Sequence, residues 1–249
     1  MKRLSRLFAA ACLVLAGALP ASALMHPDRD PSQAAFSSSP DSLAVAAAYT
    51  RVARPLDLSG DLSLQADAID AMIGWRPAVW CLLYVHGGAV QGKIPETPMG
   101  NTKFGPAAGL GFDLNLWQID DGDESAWRFM IRLEGRWTWR STAEDDTWGK
   151  LSWTEAHAAL PFVYSLHFSR RAKVGYRDEF HAIEIFAGPA VSKLDGTWKR
   201  DSGDTDFDED KLFGILGGAE LRLFPNLGFG GRAEYFGKTG FSAYVRYDF

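Results

Sequence analysis

Cysteine is almost absent from this chain, with 2 residues in 249. Cys12 lies in an N-terminal apolar run that we expect to be removed, which leaves Cys81 as the single thiol of the mature chain. A single thiol excludes an intramolecular disulfide. Because Cys81 lies among Trp80, Leu82 and Leu83, we interpret it as a small apolar strand residue and not as a reactive group.

Long apolar runs are also lacking. The most apolar segment covers residues 7–19 and is shorter than the roughly 20 residues that a membrane-spanning helix needs. Basic residues precede it, and the small residues Ala21, Ser22 and Ala23 follow it. This pattern predicts a secretory signal peptide over residues 1–23. A mature chain in a membrane would then have to cross it as a closed barrel.

The chain has no excess of positive charge. Lys and Arg number 26 against 31 for Asp and Glu, and the formal net charge is −5. An acidic chain without a basic patch argues against a nucleic-acid partner. The glycines alternate within strand-like segments and form no phosphate-cradling loop, and zinc-ligand spacing is missing. We therefore predict neither a cofactor nor a bound metal.

Regular alternation of apolar and polar residues is what the chain has in abundance. In segment 127–141, seven apolar positions face one way and five charged residues face the other. Segment 155–168 repeats the pattern, and the further alternating segments are 104–117, 180–194, 211–224, 227–236 and 240–249. An apolar outer face and a polar inner face with a period of two are typical of transmembrane β-barrel strands. A soluble lipocalin-like barrel would have the opposite polarity.

The N-terminal segments are less regular. Residues 24–42 are rich in Pro, Ser and Asp and predict a flexible periplasmic tail. Segment 43–54 is compatible with a strand but could also start a helix. Segment 61–75 alternates only from Ile69 onward, and segment 79–92 is apolar on both faces, which leaves its inner face unassigned.

The last strand is the most informative segment. Its outer face carries Phe241, Val245, Tyr247 and the terminal Phe249. An aromatic last residue after alternating apolar positions resembles the C-terminal assembly signal of Gram-negative outer-membrane proteins. The chain therefore resembles the small outer-membrane β-barrel proteins over residues 43–249, without matching a functional subfamily. The resemblance implies secretion translocase and barrel assembly machinery as partners in biogenesis, and outer-membrane lipid and lipopolysaccharide as its surroundings.

The same resemblance implies a topology. The last strand of such barrels ends in the periplasm, which places the short turns 76–78 and 225–226 there. The longer segments 93–103, 142–150 and 195–210 are then outside the cell. The count is nine if the first segment does not span the membrane. Single-chain bacterial barrels have an even number of strands, so we expect an all-β, antiparallel up-and-down barrel of ten strands, with eight as the alternative.

The predicted inner face collects charged residues of both signs. They are Arg132, Glu134, Arg136, Glu155, His157, Glu184, Glu220, Arg222, Arg232, Glu234, Arg246 and Asp248. In a barrel of about ten strands, such side chains would largely fill the interior. We interpret them as an ion-paired network that plugs the lumen, which predicts a structural or surface-interaction role. The alternative is a narrow, porin-like pore for small solutes or ions.

Enzymes exist on this scaffold, so a barrel-rim hydrolase is a second alternative. Ten-stranded outer-membrane proteases place an Asp pair and an Asp–His pair at the extracellular rim. This chain has Glu144, Asp145 and Asp146 there, without a histidine in register. Glu155 and His157 share the inner face, where such a pair is commonly a structural hydrogen bond. We therefore predict that the protein is not an enzyme.

One predicted outer segment is strongly acidic, with aspartates at alternate positions between Asp201 and Asp210. Carboxylates in a loop can hold Ca²⁺, but the ordered ligand and glycine spacing of a calcium loop is missing. We interpret the segment as a solvated surface loop. Together with Trp148 and Trp198, it is expected to form the exposed contact surface.

Overall fold

The computed structural model describes residues 42–57, 62–78, 80–97, 100–120, 127–144, 149–167, 182–200, 203–224 and 226–249. The predicted signal peptide, nearly all of the predicted tail and the predicted turn 169–179 lie outside these residues. Within them, no helix is long and apolar enough to cross a membrane.

Every regular element of the described residues is a β-strand. The strands are β1 (Ser42–Asp57), β2 (Ser63–Ala78), β3 (Cys81–Lys93), β4 (Gly105–Asp120), β5 (Trp127–Ser141), β6 (Lys150–Ala159), β7 (Phe162–His167), β8 (Ala182–Lys199), β9 (Thr205–Glu209), β10 (Phe213–Phe224), β11 (Leu227–Tyr235) and β12 (Thr239–Asp248). All pairings between them are antiparallel.

Ten strands form the wall of the barrel, because two pairs of short strands each act as one. β6 and β7 both lie between β5 and β8, separated by Leu160 and Pro161. Proline cannot donate a hydrogen bond to the sheet, which explains the break. β9 and β10 follow one another along β8 in the same way. The expected ten strands are confirmed.

The first strand, the least regular of the predicted segments, is a full member of the wall. Residues Ser42 to Pro55 pair with β2, and residues Ala44 to Arg51 pair with β12. The pairing of β1 with β12 joins the two ends of the sheet and closes the barrel. A helix here would leave two sheet edges unpaired, which lipid does not tolerate.

Both ends of the described chain lie at the same end of the barrel. The amide of Phe249 donates to the carbonyl of Leu43 at 2.8 Å. We call this the terminal end, and it also carries the β2–β3 and β10–β11 turns. The opposite end, which we call the loop end, carries the connections β1–β2, β3–β4, β5–β6, β8–β9 and β11–β12.

The middle of the barrel has an apolar outside and a charged inside. Large apolar side chains are exposed on the outward positions, among them Val45, Ile73, Val85, Leu110, Ile185, Ile215 and Phe229. Aromatic residues on the same outer face include Tyr49, Trp75, Trp117, Trp139, Tyr235 and Phe241. The alternate, inward positions carry the charged residues described below. This polarity confirms the predicted transmembrane up-and-down β-barrel.

The polarity reverses at the loop end. Inward side chains form an apolar cluster, the loop-end core, made of Val52, Leu56, Leu64, Ala66, Ala68, Val90, Ile94, Ala107, Leu151, Trp153, Leu194, Trp198 and Phe207. Outward positions at this level are polar, for example Asp67, Lys193 and Asp206. The loop end is thus packed like a water-soluble protein. The charged residues predicted for the lumen lie below this apolar part of the barrel.

The outer segments also differ from the prediction. Segment 195–210 was expected to be a loop, but it contains the end of β8 and all of β9. Trp198 was expected to be exposed, yet it is 8% exposed within the loop-end core. The cause is long-range pairing, because β9 lies between β8 and the end of β1. Trp148 lies outside the described residues.

Candidate functional site in the barrel lumen

A buried arginine organises the charges next to the loop-end core. Arg54 of β1 is 1% exposed, and its guanidinium lies within 3.0 Å of Glu155, Glu209 and Glu234. The guanidinium also lies over the ring of Phe236, 4.3 Å from its centroid. One cation on β1 therefore connects three carboxylates from β6, β9 and β11.

Other cations complete this cluster, which we call the Arg54 network. Arg140 donates to Glu155 at 2.9 Å, and Arg232 Nε lies 2.9 Å from Glu234. Arg136 lies between these two carboxylates, 3.6 Å from Glu155 and 3.4 Å from Glu234. The remaining members are Glu134, paired with Arg232, and His157, 3.7 Å from Glu234.

A second cluster, the Glu220 network, lies nearer the terminal end. Glu220 of β10 accepts hydrogen bonds from Arg246 at 3.1 Å and from the Tyr244 hydroxyl at 2.9 Å, and Arg222 Nε lies 3.2 Å from it. The other ion pairs of this network join Arg132 and Arg222 to Glu184, and Arg76, Arg222 and Arg246 to Asp248. Both networks mix the two charge signs, so neither forms a ring of one charge.

A chamber of about 220 Å³ lies between the networks. One wall is small and nearly neutral, with Ala46, Ala48 and Thr50 of β1. The rest of the lining includes Tyr84 and His86 of β3 and the arginines of β5. Glycines on β4 make room for the two rings, because a Cβ at Gly109 would fall on His86 and one at Gly111 would fall on Tyr84.

The chamber also contains a carboxylate, an imidazole and a hydroxyl in sequence. Asp70 Oδ1 lies 3.6 Å from His86 Nδ1, and His86 Nε2 lies 3.3 Å from the Thr138 hydroxyl. This order resembles a nucleophile with its base and orienting acid. However, Thr138 is fully buried, and the Asp70–His86 distance is beyond hydrogen-bond length. The arrangement is better described as a polar contact between β2, β3 and β5.

The structure places all twelve sequence-predicted lumen residues on the inward face, each in at least one of the ion pairs above. It does not join Glu155 to His157 as a dyad. Glu155 contacts arginines, and His157 lies against Glu234 and the ring of Phe236. The two residues of the candidate catalytic pair therefore contact different partners and not each other.

Sequence reasoning missed several lumen residues, which are Arg54, Arg76, Asp70, His86, Asp113, Arg140 and Glu209. Arg140 continues the inward alternation of β5, so its position was available from the pattern. Arg54 and Arg76 each precede a proline in segments with weak alternation. Glu209 was interpreted as part of a solvated loop, which is wrong because it is 6% exposed and faces Arg54.

The remaining predicted sites are the C-terminal assembly signal and the acidic residues of the rim. The assembly-signal residues Phe241, Val245, Tyr247 and Phe249 all face outward on the last strand, and the rings of Tyr247 and Phe249 lie 5.0 Å apart. Glu144 is exposed at the loop end, whereas the other two rim acids lie outside the described residues. The described residues contain no group of three or more His, Cys, Asp or Glu side chains that could hold a metal ion.

No protein-family model and no curated protein matches the chain. Its fold is similar to the outer membrane protease OmpT from Escherichia coli, with 11% identity and a TM-score of 0.38 over 85% of this chain and 98% of that chain. It is also similar to the beta domain of the Bordetella autotransporter BrkA, with 15% identity and a TM-score of 0.37 over 83% of this chain and 99% of that chain. A third similar structure is the transport unit of the autotransporter AIDA-I from Escherichia coli, with 11% identity and a TM-score of 0.38 over 91% of this chain and 93% of that chain.

These low TM-scores carry no residue-level inference. The closed pairing of β1 with β12, the apolar outside and the charged inside establish the barrel independently. At the level of fold, the resemblance to small outer-membrane β-barrel proteins is confirmed.

Proposed function

We propose that the protein is an integral outer-membrane β-barrel with a closed lumen and no enzymatic activity, which acts through the surface of its loop end. Its terminal end faces the periplasm, and its loop end extends beyond the membrane among the lipopolysaccharide. The reversed polarity of the loop end supports this orientation, because a polar exterior over an apolar core is stable in water and not in lipid.

The observation that carries the closed lumen is the stacking of two filled layers. The loop-end core occupies the inside at one level, with Leu151 and Leu194 at 0% and Trp153 at 2% exposure. Directly below it, the Arg54 network joins side chains from β1, β6, β9 and β11. A solute crossing the barrel would have to displace both layers, and the chamber below them ends at the Arg54 network.

The non-enzymatic role is supported by how the candidate groups are engaged. Glu155 is occupied by arginines, and the Thr138 hydroxyl, 3.3 Å from His86 Nε2, is fully buried. A nucleophile needs access to substrate as well as a base within reach.

Planar-bilayer recording of the refolded protein tests the closed lumen. We expect no steady single-channel conductance, whereas a water-filled porin inserted under the same conditions conducts. A steady conductance in the wild-type protein would favour the pore alternative and refute the closed lumen.

Cysteine labelling on cells tests the orientation. In a Cys81→Ser background, Asp206→Cys on β9 is exposed at the loop end, and Asn226→Cys lies in a turn at the terminal end. A membrane-impermeant maleimide should label the first variant on intact cells and the second only after the outer membrane is permeabilised. The reverse pattern contradicts the orientation, and equal labelling of both in intact cells contradicts an outer-membrane barrel.

A further inference from the structure

The loop end of the barrel is closed by a very short contact between β9 and β1. The β11–β12 hairpin stops lower in the wall, and above it β9 reaches β1 directly. Only Leu56↔Glu209 and Asp57↔Asp208 pair there, and the amide of Asp210 adds one hydrogen bond to the carbonyl of Pro55 at 3.1 Å. β1 and β2, in contrast, pair along nearly their whole length.

The inward side of this contact depends on Glu209. Glu209 is 6% exposed, and its carboxylate lies 3.0 Å from Arg54 Nε without the geometry of a hydrogen bond. The hydroxyl of Ser192 on β8 is the neutral group that faces this carboxylate. Arg54 instead donates from Nη2 to Glu155 and Glu234, at 3.0 Å each. Glu209 is therefore the least satisfied of the three carboxylates that share this arginine.

In the part of the chain that the structure describes, Glu155 and Glu234 have further cationic partners besides Arg54, whereas Glu209 does not. Glu155 also has Arg136 and Arg140, and Glu234 also has Arg136, Arg232 and His157. Glu209 has an ion-pair partner only in Arg54 among the described residues, and the two neighbouring carboxylates oppose its charge. On β8, the hydroxyl of Ser192 is neutral; it donates to Glu155 at 3.5 Å, and its hydrogen bond with Glu209 opposes the effect of burial without supplying a charge. A buried carboxylate in this position favours its neutral form.

The outward side of the contact is acidic as well. Asp208 of β9 lies directly between Asp57 of β1 and Asp195 of β8 in the strand register. Like charges opposite one another destabilise a strand pair. The nearby cation, Lys193, pairs with Asp195 at 3.4 Å. Ionised acids therefore oppose the β1–β9 contact on both of its faces.

We propose that β9 is a pH-dependent latch, which closes the loop end against β1 while Glu209 is protonated and loosens as Glu209 ionises. The inferred opening releases residues 208–210 from β1 and leaves β8, β10 and the wall below in place. It would give the Arg54 network access to water from outside the cell.

The direction of the pH dependence follows from the two acids. Burial raises the pKa of Glu209 from its ordinary 4.5 to about 7, against the attraction of Arg54 and a hydrogen bond with Ser192. A side-chain hydrogen bond with Asp195 raises the pKa of Asp208 as well. A raised carboxyl pKa in the closed state means that the closed state binds the proton more tightly. The stabilisation of the closed state by this protonation is therefore complete below about pH 4.5. It decreases as the pH rises and is lost above about pH 7.

Amide hydrogen exchange at Asp210 tests the latch in the intact, refolded protein. After correction for intrinsic exchange, we expect the protection of this amide to fall about tenfold per pH unit between pH 5 and pH 7 and then to level off. The amide of Thr142, which donates to Leu151 elsewhere at the loop end, should stay constant and serves as the internal reference.

Two variants assign the effect. Glu209→Gln should remove most of the slope, and adding Asp208→Asn should remove the remainder. Asp206→Asn, an outward change on the same strand at a residue bonded to Thr197, should keep the wild-type curve. Wild-type protection that does not change with pH overturns the proposal without any variant. A Glu209→Gln protein with the full wild-type slope overturns it too.

Discussion

Replacing Arg54 by methionine should strongly destabilise the barrel. Methionine keeps most of the apolar length of the side chain and removes the guanidinium at the centre of the Arg54 network. Arg51, three residues earlier on the same strand, allows a matched control. It faces outward, its side chain is 42% exposed, and its nearest carboxylate oxygen, on Asp67, lies 4.0 Å away.

The expected loss of unfolding free energy follows from the ion-pair partners that each carboxylate keeps after Arg54 is replaced. Without Arg54, Glu155 still has Arg140 at 2.9 Å, and Glu234 still has Arg232 at 2.9 Å. Glu209 keeps no ion-pair partner among the described residues. Glu209 then takes its neutral form, whereas Glu155 and Glu234 stay ionised with one buried cation fewer. Removing one partner from such buried ion pairs costs about 3–5 kcal/mol. The exposed Arg51–Asp67 pair contributes about 0–1 kcal/mol.

The assay is equilibrium urea unfolding in detergent micelles, followed by tryptophan fluorescence and by the gel shift between folded and heat-unfolded bands. Arg54→Met should lose about 3–5 kcal/mol, and Arg51→Met should lose no more than about 1 kcal/mol. A loss for Arg54→Met equal to that for Arg51→Met would refute the reasoning.

Two further predictions concern packing and use the same unfolding assay. Trp153→Ala in the loop-end core should cost about 3–5 kcal/mol, whereas the outward Ser152→Ala on the same strand should change stability by less than about 0.5 kcal/mol; equal effects would contradict a packed core. Gly109→Ala should cost about 1–3 kcal/mol because its Cβ would fall on the ring of His86. Gly87→Ala, where the nearest atom is 3.6 Å from a new Cβ, should be tolerated; the opposite order would contradict the described chamber.

Much of the architecture could be predicted because its cause is local. A strand of a membrane barrel must alternate between lipid and lumen, so each of the segments 127–141 and 211–224 reports its own orientation. The even strand count then required a strand near residues 43–54, although its sequence is alanine-rich. β1 shows that pairing on both sides can determine the conformation of a segment with weak propensity.

The candidate site was less predictable because its partners are distant in sequence. Arg54 lies 101 residues from Glu155 and 180 from Glu234, and alternation indicates that residues face inward without indicating which ones meet. The acidic segment had the composition of a loop, and its charges gave no signal for a strand. Glu209 faces inward only because β9 is held between β8 and β1.

By itself, the sequence determined the closed antiparallel barrel, its ten strands and the charged character of its middle layer, because the two-residue period of a strand records which side faces lipid. Only the tertiary structure decided the loop-end core, the two ion-pair networks and the closure of β9 on β1. These features depend on strand register and on the curvature of the closed wall, which bring together residues from opposite sides of the barrel.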